Sequence, residues 1–293
     1  MADPTPHPTD RTADTTACSC DCTTGNQGAD APAAHPTETE LVVEAHRRLT
    51  LVFQRDADAE NPDDPMTVRA MPIVLDMPKD HPPLRHQLLA AAAQATVACC
   101  LAPQAGVDGP WSTALCSWYG ARIRKIARRA RGTQFARAAE LPGVSSVNGT
   151  ARARAFLPCP IPRTPKNISR LQISGTDLPC ADDISYLTTR NLIPGQPGHD
   201  STRPVVYINA SLGMTAGKAA AQASHGSMML AAAATPEQIV RWAATGFALD
   251  VKEVGEELFT AASRLHRACT IVDTGYTEIA PGSVTAVALW PAG

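Results

Sequence analysis

The chain has 293 residues, 25 of them proline and 19 glycine, with 44% hydrophobic residues and a formal net charge of −2. This length admits two domains or one large one, and the near balance of charge excludes nucleic-acid binding driven by net charge alone. No stretch of roughly 18 apolar residues occurs, and Met1–His7 carries neither a basic nor an apolar signal region, so a soluble cytoplasmic protein without a membrane span is expected. Five lysines stand against 21 arginines, with heavy use of alanine and proline, a bias that suits a GC-rich bacterial genome.

Residues 1–36 are Thr, Pro, Asp and Ala with hardly a large apolar side chain, and read as a disordered tail. Its Cys18, Cys20 and Cys22 have a spacing that can hold a soft metal, but no fourth ligand completes a recognised pattern. The nine cysteines include an odd one, the adjacent pair Cys99-Cys100 and singles inside apolar runs, which is no secreted disulfide framework. Neither metal nor cofactor is expected.

Order is expected from Thr37, where Thr37-x-x-Glu40 makes a capping box before an amphipathic helix running from Leu41 to Phe53. Met71–Asp76 reads as a strand and Leu84–Cys100 as an Ala-rich helix. A helix is expected around Gln134–Leu141 and a last strand over Ala151–Pro158. The stretch from Arg122 to Arg137 holds six arginines and Lys125 without one acid. Within it, residues 121–130 read two ways. Ile123, Ile126, Ala127 and Ala130 have helical spacing, whereas the order of elements asks for a strand there. Residues 159–204, rich in Pro and Gly, read as a linker in which Ile168–Leu178 docks as a short strand.

The last third begins with a strand, Val205–Asn209, followed by a loop holding Gly213 and a helix over 217–234. A short helix from Pro236, strand 247–254, helix 255–266 and strands 269–273 and 284–290 complete a compact α/β unit. The order of elements in 37–158 matches that of 205–293 throughout, so the N-terminal lobe reads as a degenerate repeat of the C-terminal one. A loose match of any two small α/β units is the plainer account.

Lys218, Gln222 and His225 fall at i, i+4 and i+7 of the helix at 217, on one face, and a Lys in the first turn of a Gly-preceded helix suits an anionic group. The segments Gly217-Lys218-Ala219-Ala220-Ala221-Gln222-Ala223-Ser224-His225 and Asp273-Thr274-Gly275-Tyr276-Thr277-Glu278-Ile279-Ala280-Pro281-Gly282-Ser283-Val284-Thr285 resemble the two signature motifs of the archaeal-type (type 2) peptidyl-tRNA hydrolases. The resemblance covers Arg203–Gly293. It implies a mixed-sheet, three-layer α/β fold, duplicated as two lobes if the repeat is real, and hydrolysis of the ester joining a peptide to the 3′ ribose of tRNA.

By motif position the catalytic residues are Lys218, Asp273, Thr277 and Thr285, with Gln222, His225 and Ser283 binding substrate. Ester hydrolysis needs a positioned water, a proton acceptor and donors for the oxyanion. Asp273 suits the water and Lys218 the oxyanion or the terminal phosphate, while the threonines offer hydroxyls. Each also has an ordinary structural role, Asp273 as a turn former and Thr285 as a strand residue. The chain departs from the family pattern at Asn209, Ser211 and Ala216, where an Arg, an Asp and a Lys are usual. With two cations missing, Arg124, Arg128 and Arg129 are the expected phosphate contacts on tRNA. The alternative is a tRNA- or RNA-binding protein of this fold with little hydrolase activity. A monomer follows if the internal repeat stands in for a second subunit; otherwise a homodimer is expected.

Overall fold

The computed structural model describes residues 35–61, 63–180, 203–273 and 279–291. The chain divides into the units Met1–His35 and Pro36–Gly293. The expected tail, with Cys18, Cys20 and Cys22, lies outside the described residues almost entirely, as do 181–202 of the expected linker and Thr277.

Helix α1 (Glu38–Leu49) starts at the expected capping box. The Thr37 N–H donates to Glu40 Oε2 at 2.7 Å, and the Glu40 N–H donates to Thr37 Oγ1 at 3.3 Å. Strand β1 (Arg69–Asp76) follows, then α2 (Arg85–Cys100), α3 (Pro110–Tyr119), β2 (Lys125–Ala130), α4 (Thr133–Ala139) and the hairpin β3 (Gly143–Asn148)–β4 (Ala151–Phe156). The strand order is β2-β1-β4-β3, with β1 parallel to β2 and antiparallel to β4.

The second sheet is built from β6 (Val205–Asn209), β7 (Asp250–Val254), β8 (Cys269–Val272) and β9 (Val284–Leu289), after a two-residue β5 (Cys159–Pro160) that pairs with β1. Its order, β7-β6-β9-β8, repeats the first sheet strand for strand and sense for sense: β6 is parallel to β7 and antiparallel to β9, and β8 is antiparallel to β9. Helix α5 (Lys166–Ser169) precedes it, and α6 (Ala216–Ala232), α7 (Pro236–Ala243) and α8 (Glu256–Ser263) connect its strands.

Alternation along the central strands makes three layers. Val206 and Ile208 of β6 join the large core beneath α6, whereas Val205 and Tyr207 join Phe259 and Ala262 of α8 on the other face. In the first sheet Ile73 and Leu75 face α2, and Val74 meets Phe135 and Ala138 of α4. The fold is therefore mixed α/β with two mixed sheets. The two Ala-rich helices α2 and α6 pack along each other, and each also reaches the other sheet, α2 on β7 and α6 on β2. Runs of alanine, with Ser224 and Ser227, allow this close packing, and Ser227 Oγ donates to the Ala93 carbonyl across it at 2.9 Å. One apolar core runs through both sheets.

Two local readings are decided by contacts between segments. Residues 125–130 form strand β2 despite their helical spacing, because the whole length pairs with β1, from Met71↔Lys125 to Asp76↔Ala130. Residues 159–180, expected to be linker, are packed: Ile168 and Leu171 are buried in the cluster with Phe135 and Phe156, and Thr176 is fully buried. The docking expected for Ile168–Leu178 takes the form of a single antiparallel bridge, Arg129↔Gln172.

Candidate active site

The motif residues meet where α6 begins and β8 ends. Thr215 caps α6 by accepting from the Lys218 N–H at 3.3 Å. The Gly217 N–H donates to Thr176 Oγ1 at 3.1 Å, and a Cβ at position 217 would stand 3.0 Å from that oxygen, so glycine admits the threonine. These two first-turn N–H groups are thus taken by threonine hydroxyls. The negative group at this helix start is the protein's own Asp273, reached through the Lys218 side chain.

Asp273 follows β8 directly, in a stretch where the ladder is irregular. Ile271 pairs with Ala286 and Val272 with Val284, so Thr285 is the extra residue of a β-bulge. A bulge re-aims a side chain; here it turns Thr285 inward, fully buried, where Oγ1 donates to Gln222 Oε1 at 2.8 Å and lies 3.3 Å from the Ile271 carbonyl. Gln222 Nε2 in turn donates to Asp273 Oδ2 at 2.9 Å. The Lys218 ammonium is paired with the same carboxylate oxygen. Backbone bonds hold the acid as well, with the Asp273 N–H on the Ser283 carbonyl at 2.9 Å and the Gly282 N–H on the Asp273 carbonyl at 2.8 Å. Gly282 has φ +84°, the left-handed conformation this turn requires.

The result is a chain of contacts, Thr285 to Gln222 to Asp273 to Lys218, most of it out of solvent: the side chains of Lys218 and Asp273 are 12% and 6% exposed. A carboxylate held by the Gln222 amide and the Lys218 ammonium can orient a water, and the ammonium can balance the charge of an oxyanion. Ser283 Oγ donates to the Ala280 carbonyl at 2.8 Å and shapes the turn. Among the described residues no group of three or more His, Cys, Asp or Glu side chains is arranged to hold a metal ion.

Other expected site residues make different contacts. His225 faces β2, its Nδ1 3.0 Å from Lys125 Nζ, which also lies 3.5 Å from Met228 Sδ and 5.0 Å from the centre of the Trp118 ring. Burial pushes Lys125 down to about 7. Burial first, then the cations Lys125, Lys218 and Arg55, holds His225 well below the usual histidine range. Burial thus favours the neutral imidazole of His225 between the sheets. Arg124 is bound to Glu60 at 2.6 and 2.5 Å. Arg128 donates to the carbonyls of Ser169 and Leu171 at 3.1 and 2.8 Å, and Arg129 donates to Ser174 O at 3.0 Å and to the Gln172 side chain. Arg128 and Arg129 thus clamp residues 169–174 onto β2.

Sequence reasoning missed Thr176 and Arg85. Arg85, at the head of α2, is buried. Its Nε and Nη2 donate to Glu253 at 2.7 and 2.8 Å, Nη2 also donates to the Met214 carbonyl at 2.6 Å, and Nη1 donates to the Leu178 carbonyl at 2.9 Å. It thereby fixes the loop that leads into α6. A lone cation opening an otherwise apolar helix was the available signal. Of the departures from the family pattern, Asn209 caps a short turn by accepting from the Ser211 N–H at 3.0 Å, and Ala216 is fully buried.

Residues 202–293 match the family model described as peptidyl-tRNA hydrolase PTH2. No curated protein matches the chain, and no solved structure does.

Proposed function

We propose that this chain hydrolyses the ester between a peptide, or an N-blocked amino acid, and the 3′ ribose of tRNA. The observation that carries this reading is the meeting of both halves of the matched segment: Lys218 and Gln222 from α6 converge on one carboxylate oxygen of Asp273, and Thr285 from β9 holds Gln222. In the proposed mechanism Asp273 orients and deprotonates the attacking water. Lys218 meets the charge that develops on the carbonyl oxygen. Gln222 holds the carboxylate, and Thr285 is a positioning residue acting through Gln222. Thr277 is retained as a proposed hydroxyl donor of the site. Such a substrate places the activity with translation, in the cytoplasm.

The N-terminal sheet, with the same strand order and senses as the catalytic one, is in this reading a duplicate that has lost the motifs and replaces a second subunit, giving a monomer. Domain limits of 37–158 and 205–293 follow, with 159–180 packed between them in sequence.

A second reading, an RNA-binding protein of this fold with little or no turnover, is favoured by Asn209, Ser211 and Ala216, which leave the segment without three of the family's side chains. One assay separates the two. Purified full chain should release N-acetyl-amino acid from N-acetyl-aminoacyl-tRNA, with the same rate in chelator. Asp273→Asn and Lys218→Ala should each slow release at least about a hundredfold while remaining folded. Binding of tRNA without release would sink the hydrolase reading.

A further inference from the structure

On the edge of the N-terminal sheet, where β2 ends and α4 begins, a cleft of about 300 Å³ is lined by Arg129, Arg131, Gln134, Arg170 and Gln172. Every lining residue is polar, three carry a fixed positive charge, and no carboxylate contributes. The wall is built around Arg129. Its backbone N–H donates to the Gln172 carbonyl at 2.9 Å, its Nε to the Ser174 carbonyl at 3.0 Å, and its Nη2 to the Gln172 side chain. Arg128 holds the same segment from its other end through the carbonyls of Ser169 and Leu171. Ile168 and Leu171 are sunk into the apolar cluster beneath. Arg170 therefore rides on a segment fixed at both flanks. Arg131 is placed by its backbone N–H, which donates to Gln134 Oε1 at 2.9 Å.

Arg131 and Arg170 are exposed. Among the described residues neither guanidinium has a hydrogen bond or an ion pair, in contrast to Arg124, Arg128, Arg129, Arg152 and Arg154 of the same lobe. Three guanidinium groups brought to one cleft repel one another, and nothing lining the cleft offsets that repulsion. Planar guanidinium forks match phosphate oxygens in pairs, and glutamine amides add neutral donors.

We infer that this cleft is a phosphate subsite for the sugar-phosphate backbone of tRNA, with Arg131 and Arg170 as its movable donors and Arg129 as its fixed wall. This rests on the proposed substrate, and it moves the expected phosphate contacts from Arg124, Arg128 and Arg129 to a set of which only Arg129 is common.

The test is binding of deacylated tRNA by the full chain, followed by fluorescence anisotropy between about 50 and 200 mM salt. Each phosphate contact contributes close to one unit to the slope of log affinity against log salt. The double variant R131Q/R170Q should therefore flatten the slope by about two units and weaken binding at the lowest salt by roughly tenfold or more. The control R241Q/R264Q, on exposed arginines of the other lobe, should change neither value. An unchanged slope in R131Q/R170Q overturns the subsite, and so does a variant that loses affinity for ATP while keeping its affinity for tRNA, since the cleft would then take a free nucleotide. Binding is read without turnover. A chain that binds tRNA through the cleft but releases no blocked amino acid would remove the hydrolase proposal and leave the subsite standing.

Discussion

Replacing Arg85 by Met tests how the N-terminal half supports the site. The side chains of Arg85 and Glu253 are each 5% exposed, and the pair is bidentate at 2.7 and 2.8 Å. Methionine preserves most of the volume but leaves the Glu253 carboxylate buried, with the Cys180 thiol, a weak donor, 3.6 Å away. Breaking a buried pair in this way costs about 3–5 kcal/mol, because the surviving charge loses its partner and not because the pair itself was worth that much. The carbonyls of Met214 and Leu178 lose a charged donor at the same time. Equilibrium urea unfolding followed by tryptophan fluorescence should show the loss. The double variant R85M/E253L, which removes both charges, should recover most of it. R85M within about 1 kcal/mol of wild type, or a double variant no better than R85M, would refute the argument that this pair ties α2 to β7 and to the loop before α6.

Thr285→Val removes the hydroxyl that orients Gln222 and should lower kcat about tenfold with little change in KM, while Thr285→Ser restores it; a valine variant with normal kcat would make Thr285 a packing residue only. Lys125 makes the stability depend on pH: its folded pKa of about 7 lies below the unfolded value, so the unfolded chain binds the extra proton above that pH. The penalty of burying the charge is fully present below about pH 7 and is relieved as pH rises toward the unfolded pKa, so wild type should gain on Lys125→Met by up to about 1.4 kcal/mol per pH unit between pH 7 and 9. Parallel stability curves for the two proteins would show that Lys125 titrates normally.

The elements that were legible were those whose pattern is local. The capping box at Thr37, the apolar strands β1 and β6 and the alanine helices α2 and α6 all carry their signal within a few residues. Strand β3 was missed although Asn148-Gly149, a strong hairpin signal, stood at its end. The packing of 159–180 was hidden because proline and glycine mark irregular backbone, which is no measure of burial. The few side chains that anchor the segment, Ile168, Leu171 and Thr176, are too sparse to form a period. At the candidate site, motif spacing singled out Lys218, Gln222, Asp273 and Thr285, which the fold brings into one chain of contacts. That Thr285 occupies a bulge, or that Thr176 and Arg85 reach the start of α6, depends on contacts between segments far apart in the chain. No local pattern encodes such partners.

Those distant contacts bear on why half of the chain exists. The segment that matches the family model contains α6, yet α6 is not covered by its own sheet alone: Ala219, Ala220, Ala223 and Met228 lie in a core completed by α2 and by Trp118 and Tyr119. Without the N-terminal sheet that face would be an exposed apolar stripe, which a small domain hides against a partner. Here the partner has the same strand order and packs reciprocally, α2 on β7 and α6 on β2, the arrangement expected of a two-fold interface between like units. If the two lobes are copies of one unit, as proposed above, only one of them has to keep the chemistry. The head of α2 is then free to carry Arg85, which grips the Met214 carbonyl at the entrance to α6, and β2 is free to carry Lys125, which meets His225. In the proposed account the N-terminal lobe has exchanged a catalytic set for contacts that hold α6 of the C-terminal lobe in register with Asp273.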